Sequence, residues 1–466
     1  MRMMDFAGAL VAFAAFLSTP AWAQGPSEAQ KKQALDIYRE IVDEDTSVDA
    51  NRVPEMAAGL AKRFRDGGFA EEDVHLLPFE KTAALVVRYR GDGTGGRPIL
   101  LLAHMDVVTA HREDWERDPF TLIEEKGYFF GRGSADNKSS VALLTATFLD
   151  LKREKFVPTR DLVIVFTGDE ETAGKTAMMV IKDHRDLIDA EFALNSDAGG
   201  GQLTEDKNEP TYYSLQTAEK TYASYTLTVR NEGGHSSAPR HTNAIYDLAD
   251  ALQRLHAYAF PVMWNDTTIA AFRAMGPITK GKMGAAMRRF AAHPGNRRAA
   301  AVISNDPFRV GQVRTTCVAT MLQAGHADNA LPQRAVATVN CRIFPGVTIE
   351  KVMSQLQRLA GRKVEIALLD KYYSSDASPL RKDVMAAVTA AVHASYPTAK
   401  IVPAQSAGAT DGLFFRAAGI PTYGVSELFS KDSDDLSHGL NERVAVDVFY
   451  KGLTHWRVLI TKLAER

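Results

Sequence analysis

The chain has 466 residues, 45% hydrophobic and 24% charged, with a formal net charge of −2. Those values describe a soluble globular protein of two or three domains, with a core large enough to need no disulfide framework. They give no sign of a basic nucleic-acid surface, and Cys317 and Cys341 have no C-x-x-C partner, so a cysteine zinc site is excluded.

Residues 1–23 carry Arg2, an apolar stretch over 6–17 and the tripeptide Ala21-Trp22-Ala23. This reads as a secretory signal peptide cut after Ala23. It predicts an exported protein, periplasmic or secreted, with no stable membrane span after cleavage.

Apolar positions at helical spacing over 28–44 predict a first helix, and a second begins near Pro54 and stops at Gly67-Gly68. Residues 84–89 and 99–102 read as strands, the latter ending in Ala103-His104-Met105-Asp106. The glycine-rich turn 91–96 between them is no phosphate loop, because no helix follows it. Gly131-Arg132-Gly133-Ser134-Ala135-Asp136-Asn137-Lys138 then leads into an apolar helix over 141–151. A buried strand at 162–166 ends in the turn Thr167-Gly168 and three adjacent acids, Asp169, Glu170 and Glu171. Another at 192–194 ends at Asn195-Ser196-Asp197. Strand runs alternating with helices predict an α/β fold, a mainly parallel sheet with helices on both faces. Chemistry then belongs beyond the carboxyl ends of its strands.

From about residue 221 the order becomes strand, helix, strand, strand, helix, strand, at 222–229, 244–258, 313–322, 335–344, 349–360 and 364–369. That pattern predicts a smaller α+β lid domain over 221–371, with a four-stranded antiparallel sheet and two helices. It interrupts a catalytic domain formed by 24–220 and 372–466. Within the lid an insertion at about 261–307 is basic at Arg273, Lys280, Lys282, Arg288, Arg289, Arg297 and Arg298, and reads as a solvated helical face. Cys317 and Cys341 fall on adjacent strand-like runs, where a disulfide and two separate buried thiols both fit. The chain closes with a helix over 383–395, the turn Ala409-Thr410-Asp411-Gly412, and Ser437-His438-Gly439 ahead of a final helix.

His104, Asp106, Asp136, Glu170, Glu171, Asp197 and His438 thus all sit at strand ends or turns. Singly, each has an ordinary structural explanation, such as a helix cap for Asp136. Together, imidazole and carboxylate suit zinc or another divalent first-row metal, and a cation would hold three adjacent acids together. There is no H-E-x-x-H helix.

In chain order these motifs, with Gly233-Gly234-His235-Ser236-Ser237-Ala238-Pro239 between them, resemble one superfamily of dizinc metallopeptidases. It is the aminoacylase, carboxypeptidase G and succinyl-diaminopimelate desuccinylase superfamily. The interrupted lid and the stretches VRTTCVATML and NALPQRAVATVNCRIFPG are most similar to its carboxypeptidase S and secreted N-acyl-amino-acid hydrolase branch.

The resemblance implies two zinc ions, cobalt or manganese being accepted by the same ligands. Asp136 would bridge them, His104 and Asp197 completing one site and Glu171 and His438 the other. Asp106 would orient the His104 ring, and a cis peptide would follow Asp136. Glu170 would act as general base and then acid on a metal-bridging water. His235 would stabilise the oxyanion from the lid, in cis or from a partner subunit. Asn329, Arg342, Thr410 and Gly408 would bind substrate, Arg342 as a fork for its free carboxylate. The implied activity is cleavage of an amide next to a free α-carboxylate, in a small peptide or N-acyl amino acid. A homodimer through the lid is compatible with this. The alternatives are a narrow biosynthetic deacylase of the acetylornithine or succinyl-diaminopimelate type, and a non-catalytic binding protein on the same fold.

Overall fold

The computed structural model describes residues 25–465. The signal peptide expected from the sequence lies outside that range. The larger layer is a ten-stranded sheet. Its order is Val74–Phe79, Thr82–Tyr89, Leu162–Thr167, Ile99–His104, Phe192–Asn195, Thr422–Gly424, Pro210–Glu219, Gly200–Leu203 and Phe429–Ser430, with Lys400–Ser406 added beside Pro210–Glu219. The centre is parallel: Ile99–His104 lies between Leu162–Thr167 and Phe192–Asn195.

Parallel strands need cover on both faces, and alternation along the strands supplies an apolar surface to each. Leu85, Val87, Ile99, Leu101, Ile164 and Phe166 join a core shared with the helices Glu28–Val42, Val53–Asp66, Lys138–Arg153, Lys382–Ser395 and Val446–Ala464. Val86, Leu100, Leu102, Val163 and Val165 join a second core shared with Lys175–Asp183 and Gly412–Ala417. Among the described residues no helix is long and apolar enough to cross a membrane.

The smaller sheet runs Thr316–Ala324, Arg334–Ile343, Thr221–Arg230, Val364–Leu368, antiparallel throughout. Ala335, Ala337, Val339, Cys341 and Ile343 share one face and pack with the helices Ala244–Ala257 and Ile349–Ala360. Cys317 stands opposite Cys341 in this register, and the two form a disulfide.

The strand expected from residue 313 begins only at Thr316. Val313 belongs instead to a separate core with Phe272, Met287, Phe290 and Ile303. That core is built by three helices of the insertion, Asp266–Met275, Gly281–Ala292 and Arg297–Ser304. The seven basic residues of the insertion named above are all exposed, as a solvated face requires. The start of the insertion docks on the large sheet. The Thr267 and Thr217 hydroxyls lie 2.6 Å apart, and Asn265 Nδ2 donates to Gln405 Oε1 at 3.4 Å.

Candidate metal centre

Three parallel strands end side by side, and each delivers a ligand-type side chain at or just past its carboxyl end. His104 closes the middle strand. Glu170 and Glu171 follow Leu162–Thr167 through Gly168, where a Cβ would come within 2.4 Å of the Ala83 carbonyl. Asp197 follows Phe192–Asn195 on the other side. Asp136 arrives ahead of Lys138–Arg153, with a cis peptide to Asn137. His438 comes from the loop before the last helix, with a left-handed φ of 62°.

His104 Nε2 lies 3.0 Å from Asp136 Oδ1 and 3.5 Å from Asp197 Oδ1. His438 Nε2 lies 3.4 Å from Asp136 Oδ2 and 2.9 Å from Glu171 Oε2. Asp136 therefore presents one carboxylate oxygen to each imidazole. The ligand atoms of His104, Asp136 and Glu171 gather within 4.8 Å of one another, as do those of His104, Glu170 and Asp197.

The ring of His104 is oriented by Asp106, whose backbone carbonyl accepts from Nδ1 at 3.0 Å. This tautomer leaves Nε2 facing the centre. The Asp106 carboxylate is farther from the ring, 3.6 Å, and accepts from the backbone N–H of Glu170 and Glu171 at 3.1 and 3.0 Å. Asp106 thus positions the acidic loop as well as the imidazole. Asp169 turns away from the centre. Its carboxylate accepts from Lys175 N and Thr176 N, both at 2.8 Å, and caps the helix Lys175–Asp183. The acidic triplet is divided between a helix cap and the site.

Burial raises the Asp197 carboxyl to about 6 and that of Glu171 to about 7, with His104 opposing and Asp136 adding. Burial, reinforced by Asp197, also lifts Glu170 well above the usual range. For Asp136 the burial effect is overcome by His104 and His438, and its carboxyl is held below its ordinary value. Burial likewise disfavours a charged His104, but Asp197, Asp106 and Asp136 hold it well above its usual range. His438 is lifted to about 9, chiefly by Asp136, against its burial. Imidazole nitrogens and carboxylate oxygens in this arrangement fit divalent first-row cations. Such cations would relieve the repulsion among Asp136, Glu171 and Asp197.

A residue outside all the sequence motifs braces the loops that carry Asp136 and His438. Glu442 Oε1 accepts from Ala135 N at 2.7 Å and Asp136 N at 3.0 Å, and Oε2 pairs with Arg132 at 2.7 Å. Arg132 in turn donates to the Gly439 carbonyl at 3.0 Å. The pair is buried and joins the Asp136 loop to the His438 loop. Spacing gives no signal for it, since its partners are mostly backbone groups.

Thr410 and Gly408 line a cavity of about 420 Å³ together with Asp136, Glu170, Glu171, Asp197 and His438. Thr410 Oγ1 donates to Glu219 Oε1 at 2.6 Å and accepts from Asn195 Nδ2 at 2.9 Å. Arg342 reaches from the lid, lies over the Tyr222 ring at 4.7 Å, and donates to the Ala407 carbonyl at 2.6 Å, within the same loop. His235 and Asn329 are not brought to the centre. They adjoin each other in the lid, where Ser236 N donates to the Asn329 carbonyl at 2.9 Å. The exposed His235 accepts from Ser237 N at 3.1 Å.

Residues 100–462 match the model for peptidase family M20/M25/M40. The chain belongs to that family. Human N-fatty-acyl-amino acid synthase/hydrolase PM20D1 is 29% identical over 374 residues, covering 77% of this chain and 73% of its own. Mouse aminoacylase-1 is 26% identical over 413 residues, covering 87% and 89%. Among solved structures, an M20 family metallo-carboxypeptidase from Sulfolobus solfataricus superposes with a TM-score of 0.68 at 18% identity, over 92% of this chain and 99% of the other. This M20-family chain is a metal-dependent hydrolase of amide bonds, and its parallel-centred sheet with a separate antiparallel lid is the family's fold.

Proposed function

We propose that the protein is an exported dizinc hydrolase that cleaves an amide next to a free α-carboxylate, as a carboxypeptidase or an N-acyl-amino-acid amidohydrolase. The supporting observation is Asp136, with one carboxylate oxygen toward His104 and the other toward His438. His104, Asp136 and Asp197 would hold one ion, and Asp136, Glu171 and His438 the other. The ions would polarise the scissile carbonyl and acidify a water. Glu170, which lines the cavity and is positioned by the Asp106 carboxylate accepting from its N–H, takes the water's proton and passes it to the leaving amine.

Arg342 receives the substrate carboxylate beside Ala407, and Asn329 assists from the lid. His235 supplies the oxyanion donor. From its exposed position it reaches the centre by lid closure or from a second copy joined through the lid. A second copy is favoured by the edge strand Thr316–Ala324, which leaves Val318, Met321 and Leu322 exposed. Export is supported by the leader-like residues 1–23 and by the Cys317–Cys341 disulfide, which suits an oxidising compartment.

The test is hydrolysis by the zinc-supplied protein of dipeptides and N-acyl amino acids, each beside its C-terminal amide. Free acids should be cleaved and amides spared; equal rates would remove Arg342 from carboxylate recognition. Glu170→Gln should keep its metal content and lose about 10²–10⁴ in kcat. A near-normal rate would remove Glu170 from its role.

A further inference from the structure

Two cavities meet at the carboxylates of the metal centre. The first, described above, holds Glu170, Glu171 and His438 and follows the 405–410 loop. The second, about 390 Å³, starts from the same Asp136 and Asp197 but follows 199–203 and 428–431 toward the start of the last helix. Asp136, Asp197, Ala198, Gly199 and Ser214 border both.

The two halves of an amide substrate leave the scissile carbonyl in different directions. The amine half must meet Glu170, which protonates it, and its carboxylate must meet Arg342. Glu170 lines the first cavity, and Arg342 donates to the Ala407 carbonyl in the loop whose neighbours Ser406 and Gly408 border it. The second cavity is then left for the acyl half. Gly199, which borders both cavities, has a φ of +90° and lies so close to the neighbouring strands that a built Cβ would come within 2.5 Å of the Gly424 carbonyl, so no side chain fits there.

The lining of this second cavity decides what it accepts. Lys431 and Asp435 contribute charged groups to its wall, beside apolar Leu203, Phe429 and Val448 and the ion pairs Arg443–Asp434 and Lys451–Asp447. A long alkyl chain would strip water from these groups and return no hydrogen bonds, whereas a peptide-like group returns them. We infer that this cavity is the acyl-side subsite, and that it selects an aminoacyl or peptidyl group over a fatty acyl chain. The inference rests on the amide-hydrolase reading above and names the substrate class of that same site.

The experiment compares kcat/KM for a tripeptide, a dipeptide, an N-acetyl and an N-oleoyl derivative, all ending in the same free phenylalanine, on the zinc-loaded full protein. The peptides should exceed N-oleoylphenylalanine by about tenfold or more. Ser430→Trp, which narrows the second cavity, should lower the tripeptide relative to N-acetylphenylalanine by about tenfold. The double variant Lys431→Leu with Asp435→Leu should narrow the gap between the N-oleoyl substrate and the peptides. It decides the matter if the tryptophan variant does not fold. Preference for the N-oleoyl substrate by the unaltered protein, or equal effects of Ser430→Trp on the long and short acyl groups, would overturn the assignment. Cleavage of none of the four by metal-loaded protein would instead overturn the amide-hydrolase reading, and the subsite with it.

Discussion

Several side chains that never face the cavity hold the centre together. Glu442 is the clearest, binding the backbone of Asp136 while Arg132 binds the backbone beside His438. Glu442→Gln should lower metal affinity by about 10–100-fold, read by competition with a chromogenic chelator. Unchanged affinity would show that the clamp does not reach the metal. The candidate ligands that the structure gathers, His104, Asp136, Glu170, Glu171 and Asp197, were legible in the sequence because few residue types bind such metals and the motifs set their order. Glu442 was not, because any acceptor brought to the same place would satisfy those N–H groups.

His455 is a second buried polar group that sequence reading passed over. Its Nε2 lies 3.1 Å from the Val425 carbonyl, and burial pushes the ring down to about 4. The unfolded ring takes up a proton near pH 6.5 and the folded one only near pH 4. Its contribution to stability is therefore complete above about pH 6.5 and is lost as pH falls toward 4. His455→Gln should flatten the decline of Tm with pH across that window in differential scanning fluorimetry. An unaltered slope would place the acid sensitivity elsewhere.

At the scale of elements, the apolar runs marked the central strands well, because strands covered on both faces must be continuously hydrophobic. The flanking strands escaped. Pro210–Glu219 is rich in hydroxyl and amide side chains and forms no apolar run, and in Lys400–Ser406 the short apolar stretch 401–404 is interrupted by Pro403. Partner strands, rather than composition, make them part of the sheet. In the lid, alternation pointed to strands but not to their bounds, since the one expected from 313 begins at Thr316, and only the register placed Cys317 against Cys341. That bridge closes a loop of 24 residues. Replacing both cysteines by alanine should cost about 3 kcal/mol of stability by loop entropy, measured as a lower denaturant midpoint. An unchanged midpoint would mean that the insertion core and the ladder already restrain the edge strand.

At the scale of the molecule, the two domains meet where buried Lys220 crosses between Pro210–Glu219 and Thr221–Arg230. Its Nζ donates to the Arg314 carbonyl at 3.0 Å, and burial with the nearby Arg342 lowers it to about 7. The metal centre depends on several remote segments at once, from His104 to His438, so metal binding and folding are linked. Removing metal with a chelator should abolish turnover and lower Tm, and zinc should restore both. At 100 times the dissociation constant the stabilisation is about 2.7 kcal/mol. Loss of turnover with an unchanged Tm would mean that the site is preformed and contributes nothing to stability.

The sequence by itself determined the alternation that makes a parallel-centred sheet, the change of pattern that makes a lid, and the residue types and order of the candidate ligand set. Each of these is local: a period along one segment, or a side chain fixed at the end of its own strand. Only the tertiary structure decided which acid of Asp169, Glu170 and Glu171 caps a helix. It also decided that Glu442 braces the Asp136 loop, that the insertion docks on the large sheet, and that two cavities diverge from one centre. Those outcomes depend on which distant backbone groups and surfaces come within hydrogen-bonding or packing range, and no local pattern encodes that.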